Sequence, residues 1–254
     1  MLLSKRPIGT CGFLGGLGFL YEDFAFSFIQ MVQYGNEFIC RPSQGEYIHI
    51  DRSVSSDRAG SRNLLAARML GDWLFTSDAD HKFEPDILAR MLALFNAPHP
   101  TTGERIDVLT GVYRYKTYPH LPVLYHWDPN TGHYAHIGDV DWTKPLVQVW
   151  CAGAGCLLVR RSVFDRIRAE LHEEPFAEQH PHSEDFSWFT RLRRLDPIVK
   201  VYVAPQIKSD HLIIKPVTDD MFDRSVVEFV QMPEGGQVVA EPHPATEQPP
   251  EIGE

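Results

Sequence analysis

The sequence predicts an α/β fold, a mostly parallel central sheet flanked by helices, and three observations lead there. Short β-like runs alternate with runs of helical period along most of the chain. The 254 residues, 43% of them hydrophobic, suffice for one large domain or two small ones. No internal repeat is present.

The elements follow in order. Arg6 to Cys11 forms a first strand, and Tyr21 to Tyr34 an amphipathic helix with Phe24, Phe28, Met31 and Val32 on one side. Tyr47 to Ile50 is a second strand. Ser61 to Leu70 is a helix with Ser61 as its N-cap, and Trp73 to Ser77 is a third strand. Pro85 suits the first turn of the next helix, whose Ile87, Leu88, Met91, Leu92 and Phe95 recur at i, i+3/i+4. Asp107 to Val112 is a strand. Tyr113 to Pro145, rich in aromatics, His and Pro, reads as a long loop or β-excursion, the kind of segment that tends to carry function. Val147 to Trp150 and Cys156 to Val159 are strands around Cys151-Ala152-Gly153-Ala154-Gly155. Helices over Ser162 to Leu171 and Glu184 to Leu195, then a strand over Ile198 to Val203, complete the pattern. From about Met232 onward Pro, Glu and Gly dominate, and the expectation for 232–254 is a disordered tail.

Composition excludes several classes. The net charge of −10 offers no global field for nucleic acid or an anionic membrane, so nucleic acid enters only as an acceptor, and the charge counts against it. No stretch approaches 18 uninterrupted apolar residues, which excludes a membrane span. Lys5-Arg6 before Ile8 to Leu20 superficially resembles a signal peptide. Five glycines break that run and no small-residue cleavage site follows, so a strand and glycine-rich loop is the expectation. Cys11, Cys40, Cys151 and Cys156 show no zinc spacing and read as reduced thiols of a cytoplasmic protein. The histidines show neither His-x-x-x-His nor His-Glu-x-x-His, so a zinc hydrolase is not supported. Gly153-Ala154-Gly155 lacks the dinucleotide spacing.

The chemistry concentrates at Asp78-Ala79-Asp80, where the third strand ends. On extended backbone, residues i and i+2 project to one side, so two carboxylates converge there. Such a pair can hold a hard divalent cation (Mn2+ or Mg2+) and, through it, a diphosphate. Arg62 carries a guanidinium fork suited to phosphate or a base carbonyl. Thr10 and Asp51 are expected at strand C-termini, where α/β folds bind ligands. The small residues Gly153, Ala154 and Gly155 let backbone approach a sugar or acceptor, and Trp150 and Trp188 can stack on a sugar ring.

Taken in order, five segments resemble the family 2 glycosyltransferases of the GT-A fold: Ser61-Arg62-Asn63, Leu74 to Asp80, Thr110 to Arg114 with Gly153 to Phe164, Ser183 to Phe189, and Ser209-Asp210-His211. The resemblance runs from roughly Arg6 to Leu212. It implies a GT-A-like domain over 1–231, with a donor-binding half at about 1–112 and an acceptor-binding half at about 113–231. It also implies transfer of a sugar, in the manner of a hexosyltransferase, from a nucleotide-diphosphate sugar to an acceptor hydroxyl. By resemblance Asp80 binds the metal directly, Asp78 lies beside the ribose or reaches the metal through water, and His211 closes the shell. The nucleoside lies near Thr10 and Asp51, and Ala79 belongs to the donor site. Adjacent helical residues point about 100° apart, so Glu184 and Asp185 cannot both face one hydroxyl. Resemblance to inverting members selects Asp185 as general base, with Glu184 orienting acceptor or loop.

Two rivals are a nucleotidyltransferase and a non-catalytic nucleotide-sugar-binding module of the same fold. The first is expected to carry a basic residue in the glycine-rich loop, and Gly12 to Gly18 has none.

Overall fold

The computed structural model describes residues 5–15, 20–55, 57–138, 140–180 and 182–213. The tail expected over 232–254, the end of the acceptor half from 214, and Gly16 and Gly18 lie outside the described residues. The strands are β1 (Arg6–Leu14), β2 (Glu46–Ser53), β3 (Trp73–Asp78), β4 (His81–Lys82), β5 (Val108–Val112), β6 (Leu124–Asp128), β7 (His133–His136), β8 (Val147–Val149), β9 (Cys151–Ala152), β10 (Leu157–Arg160), β11 (Val201–Lys208) and β12 (Asp210–His211). The helices are α1 (Glu22–Phe38), α2 (Arg58–Arg68), α3 (Ile87–Asn96), α4 (Arg161–Arg166, continued by a wider turn to Leu171) and α5 (Glu184–Arg194).

Seven strands form the central sheet in the order β2-β1-β3-β10-β5-β11-β8. β1, β2 and β3 pair in parallel, as do β5 and β11, while β10 runs antiparallel between β3 and β5. β8 is antiparallel to β11 at the edge. The sheet is therefore mostly parallel, as the alternating pattern predicts. Helices cover both faces. Gly35 of α1 packs on Ile48, whereas Arg68 of α2 bonds Asp51, and residues of opposite parity on β2 point to opposite faces. All five apolar residues expected on α3 are buried, each contributing roughly 1.5–3 kcal/mol.

Several boundaries differ for local reasons. β1 continues to Leu14 because its register with β2 and β3 holds as far as Ser53 and Asp78. Asp57, not Ser61, caps α2: its backbone is extended and its carboxylate accepts from the Gly60 N–H. Ser61 lies inside the helix, where its hydroxyl accepts from the Ser55 N–H. The 113–145 segment contains a hairpin. Its turn closes on Asp128, which accepts from Asn130 and Gly132, and Gly132 takes the left-handed φ of 69°. β7, β6 and β9 form a separate three-stranded sheet. It is pinned to α5 by Tyr125 and Tyr134, whose rings meet Phe186 at 4.7 and 5.4 Å.

Candidate functional site

The C-terminal ends of β3 and β5, the end of β11 and the turn entering β10 converge on one corner. Beyond β3 the chain turns through Ala79 and Asp80 into β4, which pairs antiparallel with β12 so that His81 lies opposite His211. Their rings stack at 4.8 Å. The result is a cluster of Asp80, His81 and His211 whose ligand atoms all lie within 4.8 Å of one another. An ion about 2.1 Å from each ligand needs spacings of at most about 4.2 Å, so small side-chain rotations would close the set.

Hydrogen bonding orients both imidazoles. His211 Nδ1 lies 2.9 Å from the Arg114 carbonyl oxygen, which can only accept, so Nδ1 carries a proton and turns Nε2 toward Asp80 at 3.5 Å. His81 Nδ1 meets the Ser209 hydroxyl at 3.1 Å. Its Nε2 lies 3.9 Å from Asp80 and, like Asp80 Oδ1, is buried without a hydrogen-bond partner among the described residues. Burial holds the His81 imidazole down to about 4, so it stays neutral at neutral pH. Burial also pushes Asp80 up, but hydrogen bonds from His211 and Lys116 outweigh it and leave the carboxyl well below the usual range. Lys116 places Nζ 2.7 Å from Asp80 Oδ2.

Glycines make room for the site's own side chains. A Cβ on Gly155 would stand 2.2 Å from His81 Nε2, and one on Gly153 would stand 1.7 Å from the Tyr113 hydroxyl. Tyr113 is buried, accepts from the Gly155 N–H at 3.3 Å and sets its ring edge-on to His81 at 4.5 Å. Gly153, Ala154 and Gly155 are buried, and the two glycines give room to Tyr113 and His81.

A second constellation lies beside the first. Arg62, buried on α2, donates Nη2 to Asp78 at 2.8 Å and faces Glu184 at 3.4 Å through Nε. It therefore ties the end of β3 to the start of α5. Its Nη1 has no partner among the described residues. Burial raises the Glu184 carboxyl, against the pull of Arg62. Asp185, half-buried, points elsewhere, accepting from Ser183 and from the Phe186 N–H. A cavity of about 290 Å3 opens beside His211, with Tyr113, Arg114, Trp142 and Lys208 in its lining.

Asp78 is bound by Arg62 and stands beside the Asp80–His81–His211 cluster, outside the direct ligand set, as a place near the ribose or behind a water requires. Other expected residues lie elsewhere. Thr10 sits in the middle of β1, wholly buried, its hydroxyl bonded to both the N–H and carbonyl of Leu70. Asp51 lies within β2, and both its oxygens accept from Arg68. Trp188 is fully buried and stacked on Phe176 at 5.4 Å, so it cannot meet a sugar. Trp150 is partly exposed, with the Arg193 guanidinium 5.4 Å from its ring. No pattern in the sequence singles out His81 or Lys116. His81 follows the acidic pair directly but shows no ligand spacing, and Lys116 lies in a segment without periodicity.

The profile described as "Glycosyl transferase family 2" matches residues 36–168, more than half of the chain. The chain belongs to that family. A search of curated proteins finds no match. Among solved structures, GalNAc-T7 with UDP, GalNAc and Mn2+ is similar at 12% identity and a TM-score of 0.54, over 83% of this chain and 44% of that one. A197 from STIV is similar at 16% identity and a TM-score of 0.49, over 81% of this chain and 86% of that one. The family 2 chain thus spans less than half of the GalNAc-T7 chain, and that likeness speaks to the fold. No helix among the described residues is long and apolar enough to cross a membrane.

Proposed function

We propose that this family 2 glycosyltransferase is divalent-metal-dependent and moves a hexosyl group from a nucleotide-diphosphate sugar to an acceptor hydroxyl. The observation that carries this reading is the pair of buried ligand atoms, Asp80 Oδ1 and His81 Nε2, which have no hydrogen-bond partner among the described residues and face His211 at the C-terminal edge of the parallel strands. Asp80, His81 and His211 would hold the ion, and two imidazoles with one carboxylate suit Mn2+ better than Mg2+, which prefers oxygen. The bound ion would supply Lewis-acid neutralisation of the charge that develops on the leaving diphosphate.

The chain's own residues do the rest. Arg62 fixes Asp78 at the cleft and holds Glu184 inward, which leaves Asp185 to take the acceptor proton in an inverting reaction. In this reading 1–112 form the donor half and 113–231 the acceptor half. The four free, buried thiols suit the cytoplasm.

UDP-hexoses are the first donors to test, since GalNAc-T7 was solved with UDP, GalNAc and Mn2+. Calorimetry should show Mn2+ binding to the wild type and none to Asp80→Asn, and donor hydrolysis by that variant should fall about 100-fold or more. Unchanged Mn2+ affinity in Asp80→Asn would sink the metal assignment. Donor binding without turnover on any acceptor would favour a binding module instead.

A further inference from the structure

The metal reading leaves one cation unexplained. Lys116 lies on the segment after β5 and places its ammonium 2.7 Å from Asp80 Oδ2, where a metal ligand would keep its lone pair free. The backbone that carries it is closed on itself. The Tyr115 N–H donates to the Leu121 carbonyl at 3.0 Å, Arg114 pairs with Pro122, and the Arg114 guanidinium donates to the His120 carbonyl at 2.9 Å. The same loop holds His211 through the Arg114 carbonyl. Lys116 is therefore delivered to Asp80 by the element that orients another member of the cluster.

An ammonium is only a partial substitute for a metal ion here. It balances the Asp80 charge, yet it leaves His81 Nε2 without a hydrogen-bond partner among the described residues. A divalent ion would accept lone pairs from all three residues. The Lys116 side chain is 34% exposed and sits on a flexible four-carbon stem, so its head can leave without moving the loop. Once displaced, it stays within reach of any diphosphate drawn to the ion.

We propose that Lys116 is a tethered competitor for the cation site: its ammonium occupies Asp80 in the metal-free protein and turns to the donor's diphosphate when a divalent ion takes its place. The inference rests on the metal reading above and adds a metal-exchange role for a residue outside the ligand set. Competition at a part-exposed carboxylate is worth about as much as a part-exposed ion pair, which corresponds to a change of roughly fivefold.

The test is calorimetric titration of MnCl2 into wild type, Lys116→Met and Lys116→Gln, with Lys82→Gln as a control. Lys82 is a nearby cation that pairs with Asp23 and does not touch Asp80. UDP is then titrated at saturating Mn2+. Both Lys116 variants are expected to bind Mn2+ about fivefold tighter and UDP about fivefold weaker, with Lys82→Gln close to wild type. Equal Mn2+ affinity across the proteins, or an equal gain in Lys82→Gln, overturns the competition. Unchanged UDP affinity overturns the turn to the diphosphate. If neither wild type nor the Lys116 variants bind Mn2+, the metal reading itself fails, and this inference with it.

Discussion

The two edges of the same parallel strands treat buried charge in opposite ways. At the N-terminal edge, where Arg6 of β1 lies beside Glu46 of β2, the Glu46 carboxylate is saturated. Its oxygens accept from the Arg41 guanidinium at 2.7 and 2.9 Å, from the Arg41 N–H at 3.0 Å, and from Arg6. At the C-terminal edge, beyond Leu14 and Asp78, Asp80 Oδ1, His81 Nε2 and Arg62 Nη1 are buried without a hydrogen-bond partner among the described residues. Leaving a buried polar group unpaired costs about 1–3 kcal/mol. In the proposed reading a bound metal ion takes up the Asp80 and His81 atoms.

The contrast breaks most visibly at His81. His81→Asn keeps an amide near the Ser209 hydroxyl and deletes the Nε2 lone pair, whereas His81→Gln restores a polar atom close to that position. Mn2+ affinity is expected to fall about 10- to 100-fold in the Asn variant and less in the Gln variant, read by calorimetry. Equal losses would mean that His81 acts by packing against Phe83 and Tyr113, not as a ligand.

Thr10 tests the opposite case, a polar group closed by the chain itself. Thr10→Val keeps the shape but strands the N–H and carbonyl of Leu70, so a loss of about 2 kcal/mol in denaturant unfolding is expected. UDP affinity should not change, because the hydroxyl is wholly buried. A selective loss of UDP binding at unchanged stability would return Thr10 to the donor site.

What could be read from the sequence divides along the same line. Strands, helices and the α3 core follow from periodicity, which reports burial of apolar faces. Asp80 stands out through the strand-end aspartates, and His211 through the resemblance to the family's late histidine; both lie in the Asp80–His81–His211 cluster. His81 does not stand out, since only the antiparallel pairing of two two-residue strands brings it across from His211. Lys116 depends on the closure of a loop without period. Trp188 shows the reverse error. Its ring was read for stacking, although Trp188 and Leu192 stand at i, i+4 on α5, and both are buried in the core. At Gly153 and Gly155 the neighbours that need the missing Cβ are Tyr113 and His81, which lie outside the reach of any local pattern.

The smallest expected effect belongs to the saturated edge and appears only in acid. Hydrogen bonds from Arg41 hold the Glu46 carboxyl down to about 2, against an ordinary value of 4.5, with Arg6 adding to them. The folded state therefore binds this proton less readily than the unfolded chain. Its stabilisation is complete above about pH 4.5 and is lost as pH falls toward 2. Glu46→Gln removes that titration, so its melting temperature should decline less steeply between pH 4.5 and 2.5 than that of the wild type. Its Mn2+ affinity at pH 7 should stay at the wild-type value, because Glu46 stands at the opposite edge of the strands from Asp80. A parallel decline in the two proteins would show that the Arg6–Glu46–Arg41 cluster holds no charge-dependent stability. A change in metal affinity would show that the two edges are coupled through β1 and β2.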